Sequence, residues 1–268
     1  MKLAIRGLDV DVGERSLCRG LSLDLHGGES LAILGRNGAG KSTLLSTLAG
    51  LRPIQHGAIE IDAVSIAALS ARTLARLRGY CPQQQQDAFS ASVLETALVG
   101  RHPHLGRWRW ESGQDVALAQ AALEQLGLDE MAARDVHTLS GGERQRLALA
   151  ALLVQDPQLY LLDEPLAHLD LNHAIAVLEL FAARVAATQA SVIAVLHDPN
   201  LARRYFQRAL LLFEDGSWLE GAAADVLTQE NLSRLYAHPL QCLEDGATRW
   251  FVPHTADHNN IHPQQTGE

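Results

Sequence analysis

The chain has 268 residues, 47% hydrophobic and 20% charged, which suits a globular protein with one large domain or a domain carrying an inserted lobe. A formal net charge of −9 without a long basic run argues against a dedicated nucleic-acid binder. Cys18, Cys81 and Cys242 are scattered and lack CxxC spacing, which speaks against a disulfide framework or zinc site and fits reduced thiols.

Met1 to Arg6 lacks the apolar stretch of a secretion signal. No uncharged apolar run reaches the roughly 18 residues of a membrane span, so a membrane role is expected to go through a partner. Leu3–Arg6 and Leu21–Leu25 alternate apolar and polar, as half-buried strands do, with turns at Gly13 and Gly27-Gly28. Ser30 to Leu34 is a short apolar run that suits a buried parallel strand. A glycine-rich loop leads into an expected helix from Ser42 to Leu51, and Gly57 to Ala63 returns to strand. From about Phe89 to Val154 alanine, leucine and glutamate dominate, with helical spacing across Val116–Glu124, which predicts an inserted helical lobe. Leu159–Leu162 and Val192–Leu196 are further buried strands, separated by an amphipathic helix over about Asn172–Ala187. Strands alternating with helices predict an α/β fold with a mainly parallel core sheet. Asn231–Tyr236 is expected to form a last helix and Gln241–Pro253 a hairpin. The polar tail carries His254, His258 and His262; disorder is the expectation there, with metal binding the alternative.

Gly35-Arg36-Asn37-Gly38-Ala39-Gly40-Lys41-Ser42 fits the phosphate-loop pattern between a buried strand and a helix. Its glycines let successive backbone N–H groups, with that of Thr43, point at phosphate oxygens, and the helix start adds partial positive charge. Lys41 reaches the β- and γ-phosphates and Ser42 can ligate Mg²⁺. The chain has 22 basic side chains, of which only Lys2 and Lys41 are lysines; a compact ammonium fits among phosphates where a planar guanidinium does not.

The strand Leu159–Leu162 ends in Asp163-Glu164. In a parallel sheet, the carboxyl ends of neighbouring strands open on one crevice, so Asp163 can hold the metal and Glu164 can act as general base or water-orienting group.

Leu139-Ser140-Gly141-Gly142-Glu143, at an expected helix start, makes the chain resemble the ABC ATPases. That family is a P-loop NTPase fold with an N-terminal antiparallel β subdomain and an inserted helical subdomain. The resemblance spans about residues 2–240. It implies a nucleotide-binding domain over 1–240 with the helical subdomain at about 88–155, then an extension over 241–268 whose tail from about 254 is disordered. In the family the signature serine and glycines bind the γ-phosphate of ATP held by the other subunit, which assigns Ser140, Gly141 and Gly142. Gln83 matches the glutamine that serves as Mg²⁺ or water ligand and as link to the membrane partner; Gln84, Gln85 and Gln86 leave its register open by a residue. Asp170 matches the loop that contacts the opposite subunit, and His197 the switch histidine that bonds the γ-phosphate. The family's adenine-stacking aromatic is missing at Asp11-Val12-Gly13, which makes base stacking weaker.

The resemblance implies an ATP hydrolase using ATP and Mg²⁺. It implies a homodimer on transmembrane permease subunits at the cytoplasmic face of the plasma membrane, with a periplasmic substrate-binding protein involved indirectly and no nucleic acid. Leu98–His104, Leu169–His173 and Leu235–Pro239 are similar to the importers of cobalamin, haem and ferric siderophores. An ABC exporter motor and a non-transport ABC ATPase are the alternatives.

Overall fold

In the computed structural model, which describes residues 1–13, 15–83, 90–106, 110–246 and 248–254, the first two strands run further than the alternation of side chains shows. β1 (Lys2–Val12) and β2 (Arg15–His26) pair antiparallel from Lys2↔His26 to Val12↔Arg15. Their register slips between Ile5 and Leu8 and again around Val10. Each bulge resets which face a side chain points to, so only the unbulged stretches read as strands in the sequence. β3 (Ser30–Gly35) is buried throughout, and α1 (Lys41–Leu48) follows the phosphate loop. β4 (His56–Ile61) pairs with the other edge of β1, and β5 (Val64–Ser65) completes a four-stranded antiparallel sheet in the order β2-β1-β4-β5. The strand expected to reach Ala63 stops at Ile61, because Asp62 and Ala63 both take positive φ in the turn to β5.

α2 (Ala71–Leu77) leads into β6 (Arg78–Cys81), a short strand with no sequence signal of its own. The described residues that follow form a helical lobe of α3 (Val93–Leu98), α4 (Gly113–Gln125) and α5 (Gly141–Gln155). The chain continues with β7 (Leu159–Asp163), α6 (Leu171–Thr188), β8 (Ser191–Val195) and α7 (Pro199–Tyr205). After these come β9 (Arg208–Leu212), β10 (Trp218–Ala222), α8 (Ala223–Val226) and α9 (Gln229–Tyr236). β11 (Leu240–Asp245) and β12 (Thr248–Pro253) close the described chain as an antiparallel hairpin.

The core sheet has six strands in the order β10-β9-β3-β8-β7-β6, parallel except for β10. Period-two alternation divides its side chains between two cores. Leu31, Ile33, Leu159, Leu161, Ile193 and Val195 face α1 and the antiparallel sheet. Ala32, Leu34, Tyr160, Leu162, Val192 and Ala194 face α5 and α6. Burial on both faces explains why these strands read as continuous apolar runs. α6 has 18 residues with mean hydropathy 1.2, the length and composition of a membrane span. Its Val177, Leu178, Phe181 and Val185 are buried against the sheet.

The segment after α3 ties the lobe to the core. Arg101 Nε donates to Asp115 Oδ1 at 2.7 Å and its Nη1 to the Val154 carbonyl at 3.3 Å. His104 Nε2 meets the Gln155 carbonyl at 2.8 Å. The Pro103 carbonyl accepts from Arg76 at 2.7 Å and Arg72 at 3.0 Å, both on α2. The run Leu98–His104 therefore holds α5, α4 and α2 at one joint.

Candidate active site

The carboxyl ends of β3 and β7 open on one cleft of about 480 Å³. Asn37, Gly38, Gly40, Lys41, Ser42 and Thr43 form one wall, Gln83, Glu164 and His197 the other, and Val12, Arg15 and Leu17 the far end. The loop's shape is fixed by sterics. Gly40 sits at φ +95°, and a Cβ there would lie 2.7 Å from that of Leu17, so no other residue fits without displacing β2. Gly35 and Ala39 act from behind the cleft. The Gly35 carbonyl accepts from Lys41 Nζ at 2.9 Å, beside that of Arg36 at 3.1 Å, and Ala39 is buried. Burial lowers the Lys41 pKa, and the nearby Glu164 and Asp163 carboxylates pull it back up. Arg36 is anchored outward by an ion pair to Glu214 at 2.9 Å.

Asp163 ends β7 only 2% exposed. Its Oδ1 accepts from Ser42 Oγ at 2.9 Å and its Oδ2 from the Tyr80 hydroxyl at 3.4 Å. Burial raises its pKa, opposed by the Ser42 hydrogen bond. A buried carboxylate aimed at a serine hydroxyl is a set of hard oxygen donors, which suits Mg²⁺ rather than a softer metal. The Tyr80 contact has one sequence cue, its place three residues before Gln83 at the end of what proves to be β6.

Glu164 stands in the left-handed region at φ +51°, which costs a non-glycine residue on the order of 1 kcal/mol. The strain turns its carboxylate away from the strand and into the cleft. There Oε1 pairs with His197 Nε2 at 2.8 Å, and Oε2 accepts from Gln83 Nε2 at 2.9 Å. Gln83 and Glu164 are 81 residues apart in sequence and meet because β6 and β7 are parallel neighbours. Gln84, Gln85 and Gln86 lie outside the described residues, as do His258 and His262 of the tail.

Ser140, Gly141, Gly142 and Asp170 do not line this cleft. Ser140 caps α5, its Oγ accepting from Glu143 N at 3.2 Å while its own N–H donates to Glu143 Oε2 at 2.7 Å. A Cβ on Gly142 would lie 2.8 Å from the carbonyl of His168, itself at φ +64°, so the glycine seats α5 against the loop after β7. Asp170 caps α6, accepting from His173 N at 2.9 Å. Directly after it, Leu171 is 75% exposed. Arg15 is, with Leu17, a cleft residue that the sequence did not flag. No motif contains it; the β1–β2 turn alone brings it beside Val12.

The family model for the ABC transporter matches residues 18–167. The hemin import ATP-binding protein HmuV of Burkholderia lata is 39% identical over 271 residues, covering 94% of this chain and 99% of that protein. The protein of the same name from Myxococcus xanthus is 41% identical, covering 91% and 93%. Among solved structures, a metal-chelate type ABC transporter in an inward-facing conformation superposes with a TM-score of 0.81 at 30% identity, covering 94% of this chain and 97% of that one.

Proposed function

The chain belongs to the ABC transporter family as one of its ATP-binding subunits, and from that premise we propose that it hydrolyses ATP to drive import of a metal chelate of the haem, cobalamin or ferric-siderophore kind. The observation that carries the chemistry is the placement of Glu164: a strained carboxylate, held on both oxygens by His197 and Gln83, opposite a phosphate loop across one cleft. The kinship to hemin-import subunits along nearly the whole chain supports the cargo class.

In this reading the N–H groups of the loop from Asn37 to Thr43 hold the phosphates. Lys41 exchanges the Gly35 and Arg36 carbonyls for phosphate oxygens, which restores an acceptor set to a buried ammonium. Ser42, Asp163 and Gln83 hold Mg²⁺, which when bound neutralises and orients the phosphate oxygens. Glu164 takes the proton of the attacking water. His197 keeps Glu164 in place and offers a donor to the γ-phosphate. At the far end, the Arg15 guanidinium supplies a planar cation on which a base can stack, in place of an aromatic ring.

ATP-binding subunits of ABC importers work as dimers with transmembrane permease components, and the chain is membrane-associated through them. In the finer reading the dimer pairs two copies of this chain, so that Ser140, Gly141, Gly142 and Asp170 of one copy complete the cleft of the other. The exposed Leu171 beside Asp170 fits such an interface. The pair sits at the cytoplasmic face of the plasma membrane and meets a periplasmic binding protein only indirectly.

Phosphate release by the purified chain, alongside size-exclusion chromatography in ATP, tests this reading. Hydrolysis by the wild type, with an inactive Glu164→Gln variant that still dimerises on ATP, is the expected result. A chain that neither hydrolyses nor dimerises, alone or with its permease, would overturn it.

A further inference from the structure

The run Leu235–Pro239 ends α9 far beyond the family-matched residues, yet it reaches the backbone of a cleft residue, His197. The Tyr236 hydroxyl donates to the backbone carbonyl of His197 at 3.1 Å. That hydroxyl is pushed up to about 12 by burial and by the nearby Asp198, so it keeps its proton and remains a donor across the physiological range. Past His197, Asp198 caps α7, its Oδ1 accepting from Asn200 N at 2.7 Å and Leu201 N at 3.4 Å.

Asn200 is in turn held by the terminal hairpin. Its Oδ1 accepts from Phe251 N at 2.7 Å and its Nδ2 donates to the Phe251 carbonyl at 3.2 Å. The carboxamide thus satisfies both backbone groups of Phe251, as a neighbouring strand would. The hairpin is fixed to α9 as well: Leu240 N donates to Ser233 Oγ at 3.0 Å and Cys242 N to Gln229 Oε1 at 3.1 Å. Leu240 and Phe251 are buried beneath it. On the opposite side, Leu196 N donates to the Ile33 carbonyl at 3.1 Å. His197 therefore lies between the core sheet and a brace made of α9, Asn200 and the hairpin, while half of its side chain stays exposed toward Glu164.

We infer that Tyr236, seconded by the Asn200–Phe251 pair, is a positioning residue that fixes the backbone of His197 and so aims its imidazole at Glu164. The inference rests on the reading of His197 as part of the hydrolytic site. It gives the C-terminal segment a role in hydrolysis. A backbone carbonyl held by one hydroxyl can be freed by deleting a single oxygen, and the side chain of His197 is left intact.

The test uses the full chain with Tyr236→Phe and, from the hairpin side, Asn200→Ala. Tyr236→Phe should lower kcat for ATP roughly 5- to 15-fold, the scale of one hydrogen bond's net worth, and leave KM within about twofold. Asn200→Ala should act in the same direction and more weakly. In a His197→Gln background, which retains a side-chain donor, Tyr236→Phe should change kcat by less than about twofold, because the effect travels through the imidazole. Independently of turnover, the ring ¹H–¹⁵N correlations of His197, assigned by their loss in His197→Gln, should show one fixed tautomer in the wild type and exchange broadening in Tyr236→Phe. Unchanged kcat or unchanged His197 ring signals in Tyr236→Phe would overturn the inference, as would an equal fall in both backgrounds. A wild type without hydrolysis speaks against the functional reading instead, and the ring signals still decide the brace.

Discussion

Among the described residues, two kinds of helix start are built in opposite ways. α1 begins at the phosphate loop with Gly40 as its N-cap and no side-chain cap. α3, α4 and α5 each begin with a complete capping box, Ser92 with Glu95, Ser112 with Asp115 and Ser140 with Glu143. The start of α1 faces the cleft and leaves its first N–H groups without a side-chain acceptor, an arrangement that suits an anion arriving from outside. The signature at α5 is already satisfied from within, and a phosphate reaching it competes with the Glu143 carboxylate for Ser140. On the proposed reading, the uncapped start of α1 seats a phosphate within one chain, and the capped start of α5 becomes a seat only when ATP on a second copy is pressed against it.

Several changes would break or sharpen that contrast. The largest effect is expected for Glu164→Gln, which keeps the size of the side chain and removes the base: hydrolysis should fall about 10²- to 10⁴-fold in a phosphate-release assay, with ATP-driven dimerisation intact. Next comes Lys41→Ala. Losing the ammonium at the uncapped start should weaken ATP binding by roughly 10- to 150-fold, as removal of a charged hydrogen-bonding partner does, measurable by calorimetry. Ser140→Ala and Ser112→Ala remove the same cap from two helices of one lobe. Each should cost about 1 kcal/mol in urea unfolding. Only Ser140→Ala should also lower ATP-driven dimerisation; equal dimerisation in both variants would erase the distinction between the signature and an ordinary capped helix.

The smallest effect concerns pH. The N–H and hydroxyl of Ser112, then Arg101, hold Asp115 down at about 2, and the Ser92 and Ser140 amides hold Glu95 and Glu143 below the ordinary carboxylate range. These lowered values add stability above the unfolded carboxylate range near pH 4. That stability is lost as pH falls toward 2. Asp115→Asn should lower the Tm by a few degrees at pH 7 and make the loss of Tm below pH 5 shallower, read by circular dichroism. The same acid slope in both proteins would show that Asp115 does not carry this part of the pH dependence.

Where an apolar run, a loop motif or helical spacing carries the signal, the sequence alone sufficed. The buried strands before Gly35 and Asp163 follow from apolar runs, the phosphate loop from its glycines around one rare lysine, and the helical lobe from its spacing. The bulged halves of β1 and β2 were not legible, because a single slip inverts the side-chain pattern. β6 gave no signal, since four residues are too few for periodicity to register. The sequence named Gln83, Glu164 and His197 separately. Only the strand order, with β6 beside β7 and β8 next to it, puts all three within hydrogen-bond reach. Arg15 came to the cleft by the packing of the β1–β2 hairpin against the phosphate loop, and Tyr236 to the back of His197 by the packing of α9. Residues so distant in sequence meet through packing of the whole core, and no local pattern of side chains encodes that meeting.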